Sequence, residues 1–321
     1  MSLRTIVALA VLAVLSSAAW AQAYPSKPVR VIVTFPPGGT PDIYGRVMSA
    51  ELQKVWNQSV VVENRTGAGG TIGTDYVAKA APDGYTLLFA ADATVTIAPH
   101  LYSKLPYDPV RDLAPVVNVA AGPFVLMANP AFPPNNVKEL IALVQTRPGK
   151  VSYASSGAGG QQHLAMEYIR TMAGSMDMIH VPYKGFGQGI ADVLANQVPL
   201  IFGGITASIQ LTRSGKLKAL AVTGPRHAKA LPDVPAVAET LPGFDITAWY
   251  GFMAPAATPR EIVKKIHDDS VAVIKRPDFL ERLARDGIEP VGNTPEEFAA
   301  QIKTDLAHWA RIVKAAGAKL D

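Results

Sequence analysis

Short apolar runs alternate with stretches of helical spacing along most of this chain. Val29–Thr34 reads as a strand, and beyond it Ile43, Val47, Leu52 and Val55 recur near the helical period, predicting a helix with one apolar face. Ser59–Asn64 is strand-like, Gly67–Gly73 a loop, Tyr76–Ala80 a short helix, Asp83-Gly84 a turn and Tyr85–Ala90 a buried strand. This βαβ rhythm predicts a largely parallel sheet with helices on its faces. The pattern begins again at the strand Pro123–Ala128. Asn136 and Glu139 predict a capping box opening a helix to Thr146, and Val151–Ala154 a strand before a helix over Gln161–Ala173. Ile179–Val181, a helix about Ile190–Ala195, Leu200–Phe202, a helix about Ala207–Ser214 and Leu217–Thr223 continue the alternation. Ala248–Met253 is an aromatic-rich strand. Two proline-led helices follow, and their starts, Thr258-Pro259-Arg260-Glu261 and Thr294-Pro295-Glu296-Glu297, share one capping pattern.

The first residues break this rhythm. Arg4, the apolar run Ile6–Leu15 and the small-residue pattern Ala19-Trp20-Ala21 predict a secretory signal peptide over residues 1–23, with cleavage near Ala21–Ala23. The run is shorter than the roughly 20 residues of a membrane span. With no cysteine in the chain, neither a lipid-attached cysteine nor a disulfide framework is possible, and a soluble periplasmic protein is expected. Most of the 321 residues remain after the signal, enough for two lobes. A composition 49% hydrophobic and 17% charged is that of a folded protein. The formal charge of +4 includes Arg4 and is a mild bias towards anions. No lysine run or aromatic platform points to nucleic acid.

Candidate chemistry gathers at glycine turns. Phe35-Pro36-Pro37-Gly38-Gly39-Thr40-Pro41-Asp42 ends a strand and opens a helix, with Thr40 expected as N-cap and Pro41 at the first helical position. Unpaired N–H groups and the positive end of the helix dipole make such a start suited to an anion. A carboxylate held by Phe35, Pro37, Gly38, Gly39, Thr40 and Asp42 is one reading; an unliganded strand-to-helix corner is the other. The second turn, Ser155-Ser156-Gly157-Ala158-Gly159-Gly160, precedes a helix in the same way. Ser155 and Ser156 suit caps and ligand donors more than nucleophiles. His163 sits near that helix start, where it faces a cleft or packs. Tyr183 and Lys184 beside Gly185 would serve a carboxylate or lie in solvent, and Trp249 and Tyr250 line a cleft or belong to the core. In open α/β sheets ligands sit beyond the carboxyl ends of strands, so the two turns are expected to face each other between two lobes. Gly67–Gly73 fails the dinucleotide pattern because Ile72 stands where a small residue is needed. No P-loop, nucleophile elbow or zinc-protease motif occurs, the six histidines do not cluster with metal-ligand spacing, and no cofactor or metal is expected.

The turn Phe35–Asp42, Val61–Gly70, Ala81-Pro82-Asp83-Gly84-Tyr85, Leu105-Pro106-Tyr107-Asp108-Pro109, His163–Glu167, His180-Val181-Pro182-Tyr183-Lys184-Gly185 and Leu231-Pro232-Asp233-Val234-Pro235 carry a resemblance. In this order they resemble the periplasmic substrate-binding proteins of tripartite tricarboxylate transporters, the Bug family, from Tyr24 to near the C-terminus. The resemblance implies an α/β, type II periplasmic-binding-protein fold: two lobes joined by crossover strands that close over a ligand. The division it implies is 24–123 plus 249–321 for lobe 1 and 124–248 for lobe 2. It further implies a small organic carboxylate as ligand, held by Phe35–Asp42 and by the turn containing Ser155, Ser156, Gly157 and Gln161, and delivery to a two-component membrane permease by a monomeric receptor. A ligand sensor for a two-component system, or a secreted hydrolase using Ser155 or His163, are the alternatives. Asp92 and Gly203-Gly204 depart from the common pattern. An acid reaching the cleft at Asp92 would disfavour a second anionic group and favour an amine, a hydroxyl or a neutral ring, while Gly203 and Gly204 are expected to leave space for a bulky or aromatic remainder.

Overall fold

The computed structural model describes residues 24–320; the expected signal segment lies outside them. The chain runs β1 (Val29–Val33), α1 (Thr40–Trp56), β2 (Val60–Asn64), α2 (Thr71–Ala78), β3 (Thr86–Ala91), α3 (Ala98–Leu101), β4 (Leu113–Ala128) and α4 (Val137–Thr146). Then come β5 (Ser152–Ser155), α5 (Gln161–Met172), β6 (Ile179–Pro182), α6 (Phe186–Leu194), β7 (Leu200–Gly204), α7 (Ile205–Arg213), β8 (Lys218–Val222) and α8 (Val237–Thr240). β9 (Thr247–Pro255), α9 (Arg260–Ile274), α10 (Pro277–Asp286), β10 (Glu289–Pro290) and α11 (Pro295–Ala316) complete it.

β4 organises the sheet. Its residues 113–123 pair antiparallel with β9, and residues 124–128 pair antiparallel with β7 and β8. One strand therefore belongs to two half-sheets. In the first half β1 lies parallel to both β2 and β3, and β3 is antiparallel to β9. In the second, β5 lies parallel to β6 and β7. The first part of β4 escapes the sequence pattern because Pro115, Asn118 and Gly122 interrupt it and its register with β9 shifts twice. No residue of β4 on either face is exposed, so alternation would not be expected there.

Each half buries apolar strand residues under helices. Val31, Val33, Leu87 and Phe89 face Tyr44, Met48 and Leu52 of α1. The buried face of α1 is thus Tyr44-Met48-Leu52-Trp56: Leu52 is shared with the expected stripe, the other three lie one position on, and Val55 is exposed. The other face of the first half-sheet packs Ile32, Leu88, Ala90, Trp249 and Met253 against Val77, Phe298 and Ile302. Two expected helix starts differ. Asn136 accepts the Glu139 N–H, and Thr294 accepts the Glu297 N–H in a full capping box. Thr258 caps nothing: α9 begins after Pro259, and the Thr258 hydroxyl is buried.

Candidate functional site

The first turn follows β1 and opens α1. Gly38 takes a left-handed conformation at φ +87°, which an L side chain would resist. The N-cap is Gly39 rather than Thr40, and it supplies no side-chain cap; Thr40 and Pro41 are already helical. The start of a 17-residue helix is thereby left without a side-chain acceptor, as an anion site requires. Asp42 points inward and braces the turn. It is buried, its Oδ2 accepts the Gly38 N–H at 3.0 Å, and its Oδ1 accepts Arg46 Nε at 2.9 Å and Asn64 Nδ2 at 2.7 Å. Burial pushes the Asp42 carboxyl up, but Arg46, Asn64 and Gly38 outweigh it and hold the group below the usual carboxylate range. Asn64 also donates to the Phe35 carbonyl, so the same amide clamps both ends of the turn. Phe35 is half-buried against the core, and Pro37, Gly38 and Gly39 are exposed.

The second turn follows β5 and opens α5 at Gln161, again from a glycine N-cap, Gly160, without a side-chain cap. Its supports are neutral. Ser155 is fully buried, with Oγ 2.6 Å from His180 Nε2, and it accepts the Gly157 N–H at 3.2 Å. His163 Nδ1 accepts the Gly159 N–H at 3.0 Å, so His163 holds the turn from behind. His163 and His180 stack with centroids 4.0 Å apart, and Tyr153 stacks on His180 at 5.0 Å. Burial lowers the pKa of both histidines, and His163 beside it takes His180 down to about 4. Both rings are therefore neutral near neutrality. Ser156 Oγ donates to Gln162 Oε1 at 2.8 Å. Leu320, near the C-terminus, donates its N–H to the Leu101 carbonyl and packs where a side chain on Gly159 would stand.

Each turn meets the opposite half of the sheet. Gln161 Nε2 donates to Asp92 Oδ2 at 2.6 Å, joining the start of α5 to the end of β3. At the start of α1, Thr40 Oγ1 lies 3.7 Å from where a Cβ on Gly204 would be, opposite the start of α7. The Tyr250 hydroxyl lies within interaction range of the Thr40 side chain and of Asp92. The structure thus assembles Thr40, Asp92, Gln161, Gly204 and Tyr250 where three helix starts converge.

Five expected site residues are placed otherwise. Trp249 does not line this region: it is fully buried on the far face of the sheet, edge-on to Phe298, with its indole N–H on Asp305 at 2.9 Å. Strand alternation turns its neighbour Tyr250 towards the turns instead. Gly203 leaves no space, because a Cβ there would lie within 2.8 Å of Met127, Ser208 and Phe186; only Gly204 faces open room. Tyr183 gives its hydroxyl to Asp192 on α6, at 2.7 Å, not to the second turn. Asp42 and His163 support the turns rather than project from them. Lys184 is exposed and makes no ion pair among the described residues. His180 was missed as a site residue, and of the adjacent aromatics Trp249 and Tyr250 it is Tyr250 that turns towards the turns. His180 is separated from Ser155 by 25 residues and meets it only because β5 and β6 pair. Among the described residues no group of histidines, aspartates and glutamates is placed to hold a metal, and no helix is long and apolar enough to cross a membrane.

Comparison with known proteins agrees with this architecture. The protein BugT of Bordetella pertussis is 37% identical over 303 residues, which span 94% of this chain and 92% of BugT. A structure described as that of a periplasmic transporter is 42% identical, covers 93% of this chain and all of its own, and superposes with a TM-score of 0.84. R. palustris Rpa4515 with adipate is 32% identical, with a TM-score of 0.85 over 92% of this chain and all of its own. The fold is the α/β, mixed-sheet fold of these periplasmic binding proteins. The family model for the tripartite tricarboxylate transporter family receptor matches residues 44–318, and the chain belongs to that family.

Proposed function

We propose that this chain is a periplasmic substrate-binding protein that captures a small organic carboxylate and hands it, unchanged, to a two-component membrane permease. One observation carries the reading: glycine-capped starts of α1 and α5, which lack side-chain caps, open towards the same region from opposite half-sheets. The adipate held by Rpa4515 supports a carboxylate as the ligand class. The lobes are residues 24–123 plus 249–321 and residues 124–248, joined through β4 and the segment leading into β9. The mature protein starts after a signal cleaved near Ala21–Ala23 and acts as a monomer.

Magnitudes make closure the essential step. One helix start contributes at most about 2 kcal/mol to holding an anion, whereas micromolar affinity corresponds to about 8 kcal/mol. The difference must come from desolvated hydrogen bonds and apolar contacts made once both lobes enclose the ligand. The test is a thermal-shift screen of aliphatic diacids, hydroxy acids, aromatic acids and amino acids, followed by mass spectrometry of the bound material. A raised melting temperature with one unchanged acid per protein supports the receptor, because native-state ligands stabilise by mass action. Turnover of the acid, or no response to any carboxylate, overturns it.

A further inference from the structure

Asp92 is a buried acid at the junction of the two half-sheets with half of its carboxylate unused. It follows the last residue of β3 and starts the π-helical turn Ala93–Ile97. Only 1% of it is exposed. Gln161 Nε2 reaches Oδ2 from the opposite half, while Oδ1 has no hydrogen-bond partner. The groups around it are the Asp305 carboxylate on α11, the Tyr250 hydroxyl on β9, the Gln161 amide on α5 and the backbone N–H groups of Asp92 and Ala93. None of these is a cation. Burial first, and then Asp305, raise the Asp92 carboxyl well above its ordinary range.

A buried carboxylate with one bare oxygen and no cation is costly, and the cost is met either by taking up a proton or by a partner from outside the chain. A second carboxylate on the ligand would face the Asp92 carboxyl and would enter only with a proton. A neutral apolar tail would leave Oδ1 bare. A protonated amine satisfies the free oxygen and the charge together.

We propose that Asp92 is the ligand's second anchor and accepts a hydrogen bond from an ammonium group, so that the ligand is a zwitterionic carboxylate. The acid end lies at the glycine-capped helix starts and the amine end at Asp92. This rests on the carboxylate-receptor reading above and narrows its substrate class.

The test is calorimetric titration of matched pairs that differ only in the amine: 4-aminobutyrate against butyrate, L-glutamate against glutarate, and L-phenylalanine against 3-phenylpropanoate. In at least one pair the amine should bind at least about tenfold more tightly, the scale of one charged hydrogen bond. Asp92→Asn should remove that preference while leaving the amine-free partner within about threefold. In the wild type, affinity for the amine should fall as pH drops and Asp92 takes up a proton, and affinity for a plain diacid should fall as pH rises. This profile decides the matter even if Asp92→Asn fails to fold. Plain acids binding as tightly as their amine partners, with the opposite pH trend, overturn the anchor and leave the carboxylate receptor standing. Absence of binding by any acid in a protein that melts cooperatively overturns both.

Discussion

The two glycine turns share a shape and differ in what holds them. Phe35–Asp42 is held by charge: one inward carboxylate gathers the Gly38 N–H, the Arg46 guanidinium and the Asn64 amide. Ser155–Gln161 is held by neutral groups, with Ser155 against His180 and the Gly159 N–H on His163. Both solutions leave the helix start itself uncapped. The difference teaches that the open amides are the shared requirement, and that the bracing behind them is free to vary. Asp42 can sit beside the proposed anion site because the Arg46 guanidinium offsets its charge and Asn64 hydrogen-bonds it. The second turn avoids that problem by carrying no charge.

The comparison breaks most readily at Asp42. Asp42→Ala removes an acceptor from three donors at once and is expected to cost about 2–3 kcal/mol, the range for hydrogen bonds to a charged group. Urea denaturation measures it, and a loss below about 0.5 kcal/mol would show that the backbone alone shapes the first turn. Ser155→Ala should cost less, about 1–2 kcal/mol, because its bonds are neutral and His180 retains its stacking on His163 and Tyr153. Equal costs would mean that charge is not what separates the turns.

Acid should separate them more sharply than mutation. His180 has its pKa depressed to about 4, against an ordinary value near 6.5, so neutral His180 favours the native state above about pH 6.5. That contribution is lost as pH falls from about 6.5 towards 4. Asp42 is also depressed, from an ordinary carboxylate value near 3.9, so its contribution is present above that value and is lost only below it. The second turn is expected to loosen first on acidification. Hydrogen exchange at Gly157 and Gly159, compared with Gly38, between pH 7 and pH 4 reads this directly. Loosening of Gly38 at the higher pH would reverse the assignment.

Much of this was legible in the chain. Apolar runs broken by paired glycines located β1, β5 and both turns, because a strand that stops at Gly-Gly before a polar helix start leaves few alternatives. What was lost lay one residue away or far along the chain. Trp249 and Tyr250 are adjacent in an aromatic strand, and sequence alone does not say which faces the turns; the packing of Phe298 decides it. Gly203 and Gly204 read identically, yet the Met127 and Phe186 side chains fill the space beside one and not the other. The His180 support for Ser155 depends on the pairing of β5 with β6, a contact that no local pattern reports.

Gly204 offers the finest resolution of the comparison, because it is where the second half approaches the first turn. Its backbone, φ −59° and ψ 144°, suits any residue, and a new methyl would stand 3.7 Å from Thr40 Oγ1 in ordinary contact. Gly204→Ala should therefore change stability by no more than about 0.5 kcal/mol. Its effect should fall on binding instead: a methyl between the starts of α7 and α1 narrows the region the lobes enclose, and larger acids should lose more affinity than smaller ones. Titration of the variant with an acid series of increasing length measures that slope. A uniform loss across the series would point to Gly204 acting through the N-cap of α7, and no loss at all would place the ligand wholly between the two glycine turns.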